Sequence, residues 1–329
     1  MSLAQVLWIA ARTKLLQRLL AMSAVMLRLR PGHSKTCGVA PQPGRQVSLD
    51  RDDIRAFYSG RARCNAYNLC PRCCRGKLRA LRREITTLFK DCLTLKRDTM
   101  MVSLSLGFPP NTSLATRWDL LQAVLESLSD DKSVRNARKA VGKERGYLKV
   151  THLLHGDLGW HAHVHLIYIL NRTITDEEAA RLETAESLAW QRLAKSKGCI
   201  GYPPAQRHRL VDRTEKDAAA TARYLTKALE EIEFGDAHVE KDRFACAADR
   251  GNRSAWQLIA SAALAGDVAA EAPIREWSAV VSNPRTHNMF LRPTTLMERL
   301  HAAASAERNS RRRALRIAKE FDHNEGMAA

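Results

Sequence analysis

Three histidines occupy alternate positions in the otherwise apolar stretch GWHAHVHLIYIL, residues 159–170. Alternate residues of a β-strand point to the same face, so His161, His163 and His165 would stand side by side. Adjacent imidazoles gain little from one another, whereas Mn, Fe, Zn and Ni ions use them as ligands. The spacing therefore predicts a metal site with His163 and His165 as ligands, and with His161, at the entrance of the strand, as a further candidate.

A third ligand is expected from the neighbouring strand. The segment GYLKVTHLL, residues 146–154, has the composition of a strand, and the turn HGDLG joins it to the histidine strand. Two adjacent strands joined by a short turn form a β-hairpin. His152 then lies across the hairpin from the histidine strand and is the expected third ligand. His155, in the turn, is the alternative.

A possible nucleophile lies in TARYLTKALEE, residues 221–231, where Tyr224 and Lys227 are three residues apart on a predicted helix. Side chains at this spacing are neighbours, and Tyr224 falls outside the apolar stripe of the helix. A phenol, with an ordinary pKa of about 10, attacks phosphate poorly unless a metal or a nearby cation assists it. An ordinary helix tyrosine beside a solvated lysine is the alternative for this pair taken alone.

The charge balance indicates a polyanionic partner. The 329 residues include 53 Lys and Arg against 35 Asp and Glu, giving a net charge of +18. Such a surplus favours nucleic acid, with phosphate contacts expected from the basic stretches 72–97, 132–149 and 308–319. It argues against a histidine-cluster enzyme for small molecules. The candidate DNA-binding residues are Arg72, Arg75, Lys77, Arg79, Arg82, Arg83, Arg138, Lys139 and Lys143.

Four of the eight cysteines lie within residues 64–74. Cys64, Cys70 and Cys73, with Cys37 upstream, can supply four thiolates, which predicts a structural zinc site. Cys74 could replace Cys73, and a reduced loop without metal is the alternative. The isolated Cys92, Cys199 and Cys246 are expected to be buried as small apolar residues.

The order of elements predicts an α+β fold: a cysteine-rich module, a β-α-β-β-α pattern with a further helix, and a helical tail. Helices are expected to start at the capping motifs of Thr116, Thr175 and Thr214. The expected segments are 1–35, an amphipathic helix or an extension ahead of an alternative start at Met22; 36–95, the cysteine module and a basic helix; 96–233, the sheet domain; and 234–329, a helical region with a basic tail.

The first thirty residues resemble a targeting peptide only superficially. Arg12, Lys14 and Arg18 interrupt the apolar run, and no typical cleavage site follows it. The uncharged run is also shorter than the about 20 residues that span a bilayer. We therefore expect a cytoplasmic protein without a membrane partner.

Several of these motifs together resemble a known superfamily. His163-Val164-His165, followed along the chain by Tyr224-x-x-Lys227 on a helix, looks like the motif pair of the HUH endonucleases. GWHAHVHL and ARYLTK are similar in particular to the Rep_1 family of rolling-circle plasmid replication initiators. GYLKVTHLLHGDLGW matches that family's approach to the histidines. CGVAP, RCNAYNLCPRCC and GNRSAWQLIASAALAGD resemble its cysteine elements and its downstream helix, so the likeness covers about residues 37–280.

The resemblance implies a central antiparallel sheet with flanking helices and a specific chemistry. His163 and His165 would bind Mg²⁺ or Mn²⁺, and Tyr224 would attack the scissile phosphate of single-stranded or hairpin origin DNA. The 5′ end would stay on Tyr224 as a phosphotyrosine, the free 3′-OH would prime synthesis, and Lys227 would offset negative charge. Host helicase and polymerase, and a second copy of the chain on the DNA, are the implied partners.

The chain departs from the family pattern at three positions. His152 stands where many members have Glu, Ala162 where Pro is usual, and Ala220 where some have an acid. One rival interpretation is a transposase or mobilisation relaxase of the same superfamily. A rival of another class is a non-catalytic, zinc-containing DNA-binding regulator.

Overall fold

A computed structural model of the chain describes residues 3–29, 37, 49–51, 56–58, 64, 66–109, 111–203, 206–211, 214–234, 252–282 and 289–325. In these ranges the elements are α1 (Leu3–Leu29), β1 (Leu49–Arg51), β2 (Ala56–Tyr58), α2 (Pro71–Thr94), β3 (Thr99–Ser105), α3 (Leu114–Asp130), α4 (Lys132–Ala140), β4 (Leu148–Gly156), β5 (Gly159–Ile169), α5 (Asp176–Ser196), β6 (Arg207–Leu210), α6 (Glu215–Leu225), α7 (Ala228–Phe234), β7 (Arg253–Ser254), α8 (Ala255–Leu264), a 3-10 turn (Val268–Ala270), α9 (Glu271–Val281), β8 (Phe290–Leu291) and α10 (Thr294–Glu325).

A six-stranded antiparallel sheet forms the centre of the fold. Its strand order is β6-β3-β5-β4-β7, and β8 also pairs with β4. The apolar strand β5 lies in the middle of the sheet and is buried along most of its length. The predicted α+β class and the predicted β4–β5 hairpin are both confirmed. Gly159, with φ +82°, closes the hairpin in a backbone conformation that side chains disfavour.

Helices cover both faces of this sheet. On α2, Leu78, Leu81, Ile85 and Phe89 are buried in the main core, and the helix packs against α6 and α7. Burying such side chains contributes about 1.5–3 kcal/mol each. The basic helix of the predicted cysteine module is therefore packed into the core that also holds the sheet. The predicted segment boundaries remain predictions, and residues 235–251 lie outside the described ranges.

Helix α1 is part of the same core. Met22 and Met26 are fully buried, and Arg18 Nε donates to the carbonyl of Ile232 at 3.0 Å. Among the described residues, no helix combines the length and the apolar character that crossing a bilayer requires.

Two of the three predicted helix starts are confirmed. Thr175 forms a capping box with Glu178, and the Thr214 side chain accepts from the backbone N–H of Asp217. The prediction of a start at Thr116 is wrong, because α3 begins at Leu114 with Ser113 as its N-cap. Serine caps a helix at least as well as threonine, and the earlier start buries Leu114 in the core.

The predicted helix through Tyr224 and Lys227 is interrupted. Helix α6 ends at Leu225, and α7 begins at Ala228. The Thr226 hydroxyl donates to the carbonyl of Ala222 at 2.8 Å, a hydrogen bond by which serine and threonine often bend helices. Arg82 of α2 then holds the bend, since its Nε donates to Thr226 Oγ1 at 2.8 Å.

Candidate metal and nucleophile site

The histidines of the two central strands share one face of the sheet. In the register, His152 on β4 lies directly opposite His163 on β5. His165 follows two residues further along β5. One ring nitrogen from each of these three side chains lies within 4.8 Å of the others, and all three residues are buried. The triad His152, His163 and His165 could therefore hold a metal ion.

Hydrogen bonds orient two of the three rings. His165 Nδ1 lies 2.8 Å from Ser103 Oγ, which leaves Nε2 as its second nitrogen. His152 Nε2 lies 3.4 Å from the carbonyl oxygen of Leu225, which leaves Nδ1. That Nδ1 and both nitrogens of His163 are buried and make no hydrogen bond within the described part of the chain. Buried polar atoms are normally paired, so these nitrogens fit the ligand set of a divalent cation.

Electrostatics keeps the triad in the neutral form that binds metals. Burial, together with the charge of Lys227, lowers the pKa of His165 to about 3. Burial also lowers the pKa of His152 well below its ordinary value, with Lys227 and His165 as further causes. Burial lowers the pKa of His163 as well, and the neighbouring histidines lower it further. At neutral pH all three imidazoles therefore offer lone pairs.

Helix α6 brings Tyr224 to the triad. Near the start of the helix, Arg209 of β6 donates to the Asp217 carboxylate at 2.6 Å, which fixes α6 to the sheet. Near its end, the Tyr224 hydroxyl lies 3.3 Å from His165 Nε2. The ring of Tyr224 also packs edge-on against His152, with centroids 5.7 Å apart. Tyr224 is only 4% exposed, so it belongs to the buried face as well and is not a surface tyrosine.

Lys227 lies beside this tyrosine, as the spacing predicts. Its Nζ is 5.5 Å from the centroid of the Tyr224 ring. It also lies close enough to the triad to lower the pKa of each histidine. A single ammonium group therefore accompanies both the phenol and the candidate metal ligands.

The two remaining histidine candidates lie outside the triad. His161 shares the site's face of the sheet, with its ring centroid 5.4 Å from that of His163, yet it is not a member of the three-histidine group. His155 pairs in register with Trp160, and their rings are in edge contact with centroids 5.1 Å apart. The side chain of His155 therefore points to the other face of the hairpin.

The four predicted zinc ligands lie together. The Sγ atoms of Cys37 and Cys73 are 3.4 Å apart, those of Cys64 and Cys73 are 3.7 Å apart, and those of Cys70 and Cys37 are 3.5 Å apart. Four thiolates at about 2.3 Å from one zinc ion have similar separations. Burial raises the pKa of the Cys64 thiol to about 11, so a cation would be needed to keep it deprotonated at neutral pH.

The other cysteines divide as the spacing suggests. Cys74 is buried in the main core and is not a member of the four-cysteine group. Cys92 and Cys199 are buried too, which confirms their predicted role as small apolar residues. Cys246 lies outside the described residues.

Most of the candidate DNA-binding residues on α2 already have partners within the chain. Arg75 and Arg79 pair with Glu233 at 2.6 and 2.7 Å. Arg82 pairs with Glu230 at 3.2 Å. The Arg72 guanidinium donates to the Cys37 carbonyl at 2.6 Å, and Lys77 Nζ lies 5.0 Å from the Tyr67 ring centroid. Among the nine candidates, Arg79, Arg83 and Lys139 are exposed, and of these Arg83 and Lys139 stay the clearest predictions for phosphate contact.

Arg138 belongs to a buried polar cluster on the opposite face of the sheet. Its Nε donates to Glu186 Oε1 at 2.6 Å. His208 Nε2 lies 2.6 Å from the other carboxylate oxygen, and the Tyr168 hydroxyl donates to Oε1 at 3.0 Å. Nearby, burial lowers the pKa of Lys143 to about 8. The structure thus gives Arg138 a structural partner that its sequence context did not indicate.

Three site features were missed from the sequence: the Ser103 hydroxyl, the Leu225 carbonyl and Arg207. Ser103 pairs in register with His165 on one side and with Arg207 on the other. The side chains of Ser103, His165 and Arg207 therefore share the site's face of the sheet. Arg207 is exposed. Strand alternation could place Ser103 on one face of its own strand, but the pairing of strands decides what that face meets.

Comparison of the chain with models of protein families, with curated proteins and with solved structures gives no match.

Proposed function

We propose that this chain is a metal-dependent, site-specific DNA nicking and joining enzyme that initiates rolling-circle plasmid replication. It would be a member of the HUH superfamily, similar to the Rep_1 initiators. The supporting observation is the convergence of Tyr224 with the triad: its hydroxyl lies 3.3 Å from a nitrogen of His165. Neither packing nor folding requires a phenol and three neutral imidazoles to meet at one buried point with an ammonium group beside them.

The residues divide the reaction between them. The Tyr224 oxygen attacks the phosphorus of the scissile phosphodiester and the bond to the 3′ oxygen breaks, leaving a 5′-phosphotyrosine and a 3′-OH. The phenolic proton passes to solvent water as the new bond forms, and the 3′ oxygen takes up a proton from water. Lys227, with Nζ 5.5 Å from the Tyr224 ring, offsets negative charge on the phenolate and the phosphate.

His152, His163 and His165 would hold Mg²⁺ or Mn²⁺. The bound ion would neutralise charge on the phosphate and make its phosphorus more electrophilic. The cysteine cluster would hold a structural zinc ion, separate from the chemistry.

The burial of Tyr224 favours an unpaired DNA strand as substrate. A flexible strand can bend to bring one phosphate to a hydroxyl that is mostly covered, and bases splayed from a hairpin loop can be bound individually. The joining reaction is the reverse attack of a 3′-OH on the phosphotyrosine. A second copy of the chain, and the host helicase and polymerase, would act at the same origin.

The test is covalent capture of DNA. The full chain is incubated with Mn²⁺ and single-stranded DNA of random sequence, denatured, and analysed for DNA that stays attached. We expect adducts joined through a 5′-phosphate to Tyr224, and sequencing of the captured strands would identify the site. Tyr224→Phe should give none while still binding DNA.

Tyr202→Phe is the matched control, because it removes an exposed phenol of similar chemistry. It should form adducts like the parent chain. DNA binding without adduct by the parent chain would instead support the regulator. Adduct formation at transposon ends or transfer origins would support the transposase or the relaxase.

A further inference from the structure

The row of side chains beside the triad contains a hydroxyl that no part of the proposed reaction uses. Ser103 lies on β3, directly opposite His165 on β5. Its Oγ is 2.8 Å from His165 Nδ1, which is hydrogen-bonding distance. A serine hydroxyl can accept a hydrogen bond as well as donate one, so it can stay paired with Nδ1 in either tautomer of the imidazole.

This contact determines which nitrogen of His165 can bind a cation. A neutral imidazole has one N–H and one lone pair, and the hydrogen bond of one nitrogen sets the role of the other. With Nδ1 covered by the Ser103 hydroxyl, Nε2 is the nitrogen left for a cation. A cation on Nε2 places the imidazole proton on Nδ1, where Ser103 Oγ can accept it. The Tyr224 hydroxyl lies 3.3 Å from that same Nε2.

We propose that Ser103 is a positioning residue: it commits His165 to bind the cation through Nε2, so that the cation and the Tyr224 hydroxyl compete for one lone pair. Binding of the cation then ends the Tyr224–His165 hydrogen bond, and the hydroxyl can turn to the phosphate. This inference rests on the cation site of the proposed function, but not on the cleavage reaction.

The burial of the site supports a fixed orientation. His165 is 2% exposed, and its ring is in edge contact with those of His152, His163 and Tyr224, with centroids 4.8, 5.0 and 5.1 Å away. A ring packed on three sides cannot turn without moving its neighbours. The hydrogen bond at Nδ1 therefore also fixes the position of Nε2.

The first experiment measures Mn²⁺ affinity in the full, zinc-loaded chain by calorimetry, without DNA. Threonine and valine have nearly the same shape, and both suit a strand, so Ser103→Thr and Ser103→Val differ mainly by the hydroxyl. We expect Ser103→Thr to bind Mn²⁺ like the parent chain, and Ser103→Val to bind it about 10–100-fold more weakly.

Ser105→Ala is the control, because Ser105 lies on the same strand and face, opposite His163. It should leave the affinity unchanged. Equal affinities of the Thr and Val variants would overturn the proposal, and so would an equal loss in Ser105→Ala.

The second experiment follows Tyr224 itself. Near-ultraviolet difference spectra are recorded during Mn²⁺ titration, and those of Tyr224→Phe are subtracted. We expect a tyrosine signal whose midpoint coincides with Mn²⁺ binding, since the hydroxyl loses its hydrogen bond to His165. A Tyr224 spectrum that stays constant through saturation would overturn the competition. Because neither experiment contains DNA, failure of the nicking assay would remain a separate result.

Discussion

The hydroxyl of Tyr224 lies 3.3 Å from Nε2 of His165, although 59 residues separate them along the chain. Helix α6 makes this contact possible because it is fixed to the sheet by the Arg209–Asp217 ion pair near one end and interrupted just after Tyr224 at the other. Lys227 follows the interruption, with its Nζ 5.5 Å from the centroid of the Tyr224 ring. The position of the nucleophile thus depends on how helix α6 is fixed to the sheet.

Removing single histidines should separate the triad from its neighbours on the hairpin. We expect His163→Ala and His165→Ala to abolish Mn²⁺-dependent nicking, and His152→Ala to weaken Mn²⁺ binding about 10–100-fold. His155→Ala should retain both properties, since its side chain lies on the other face with Trp160. Nicking rates against Mn²⁺ concentration test this. If His155→Ala needed more Mn²⁺ for nicking and His152→Ala did not, His155 would be the third ligand instead of His152.

The cysteine cluster should carry about one zinc ion per chain. Cys70→Ser should lose that zinc, because Cys70 Sγ lies 3.5 Å from Cys37 Sγ inside the cluster. Cys74→Ser is the neighbouring control and should retain the zinc, since Cys74 is packed in the main core. Metal analysis of freshly purified, reduced protein makes the measurement. Zinc-free parent protein would refute the site.

Arg207 should contribute to DNA binding, because it is exposed on the site's face two strands from His165, about 10 Å away. We expect Arg207→Ala to reduce the slope of log affinity against log salt for single-stranded DNA by about 0.7, the value for one phosphate contact. Arg181→Ala removes an exposed arginine of α5, on the opposite face, and should leave the slope unchanged. Equal slopes for the two variants would exclude the contact.

The buried cluster around Glu186 should be important for stability and not for DNA binding. Glu186→Gln leaves the guanidinium of Arg138, which lies 2.6 Å away, without its counter-charge. Breaking a buried pair in this way costs about 3–5 kcal/mol of unfolding free energy. Glu183→Gln, a half-exposed neighbour on α5, should change it by less than about 0.5 kcal/mol. Urea unfolding compares the two, and similar losses would contradict the assignment.

Acid should destabilise the fold through the triad. The pKa of His165 is about 3 in the folded chain and about 6.5 when unfolded, so the unfolded chain binds more protons between these values. The contribution of His165 to the free energy of unfolding is complete above about pH 6.5. It is lost as the pH falls toward 3, by at most about 1.4 kcal/mol per pH unit. The variant His163→Gln/His165→Gln should show a flatter pH profile in urea unfolding. A profile as steep as that of the parent chain would contradict the pKa shift.

Some properties could be predicted from residue order alone, because they depend on local periodicity. Alternation in residues 159–170 predicted a strand with three histidines on one face, and β5 confirms the strand. The spacing of Cys64, Cys70 and Cys73 predicted a cluster that the folded chain brings together with Cys37. The short turn between two strands predicted the hairpin, which placed His152 opposite His163.

Other properties were decided by the tertiary structure. Which side chain faces His165 depends on the pairing of β3 with β5, and nothing local to Ser103 encodes that partner. The partner of Arg138 is a carboxylate on another helix, so its basic sequence context was misleading. The interruption after Leu225 is held by Arg82, which reaches Thr226 from α2. Long-range contacts of this kind arise only when the core brings distant segments together, and it is these contacts that put a phenol, an ammonium group and three imidazoles at one point.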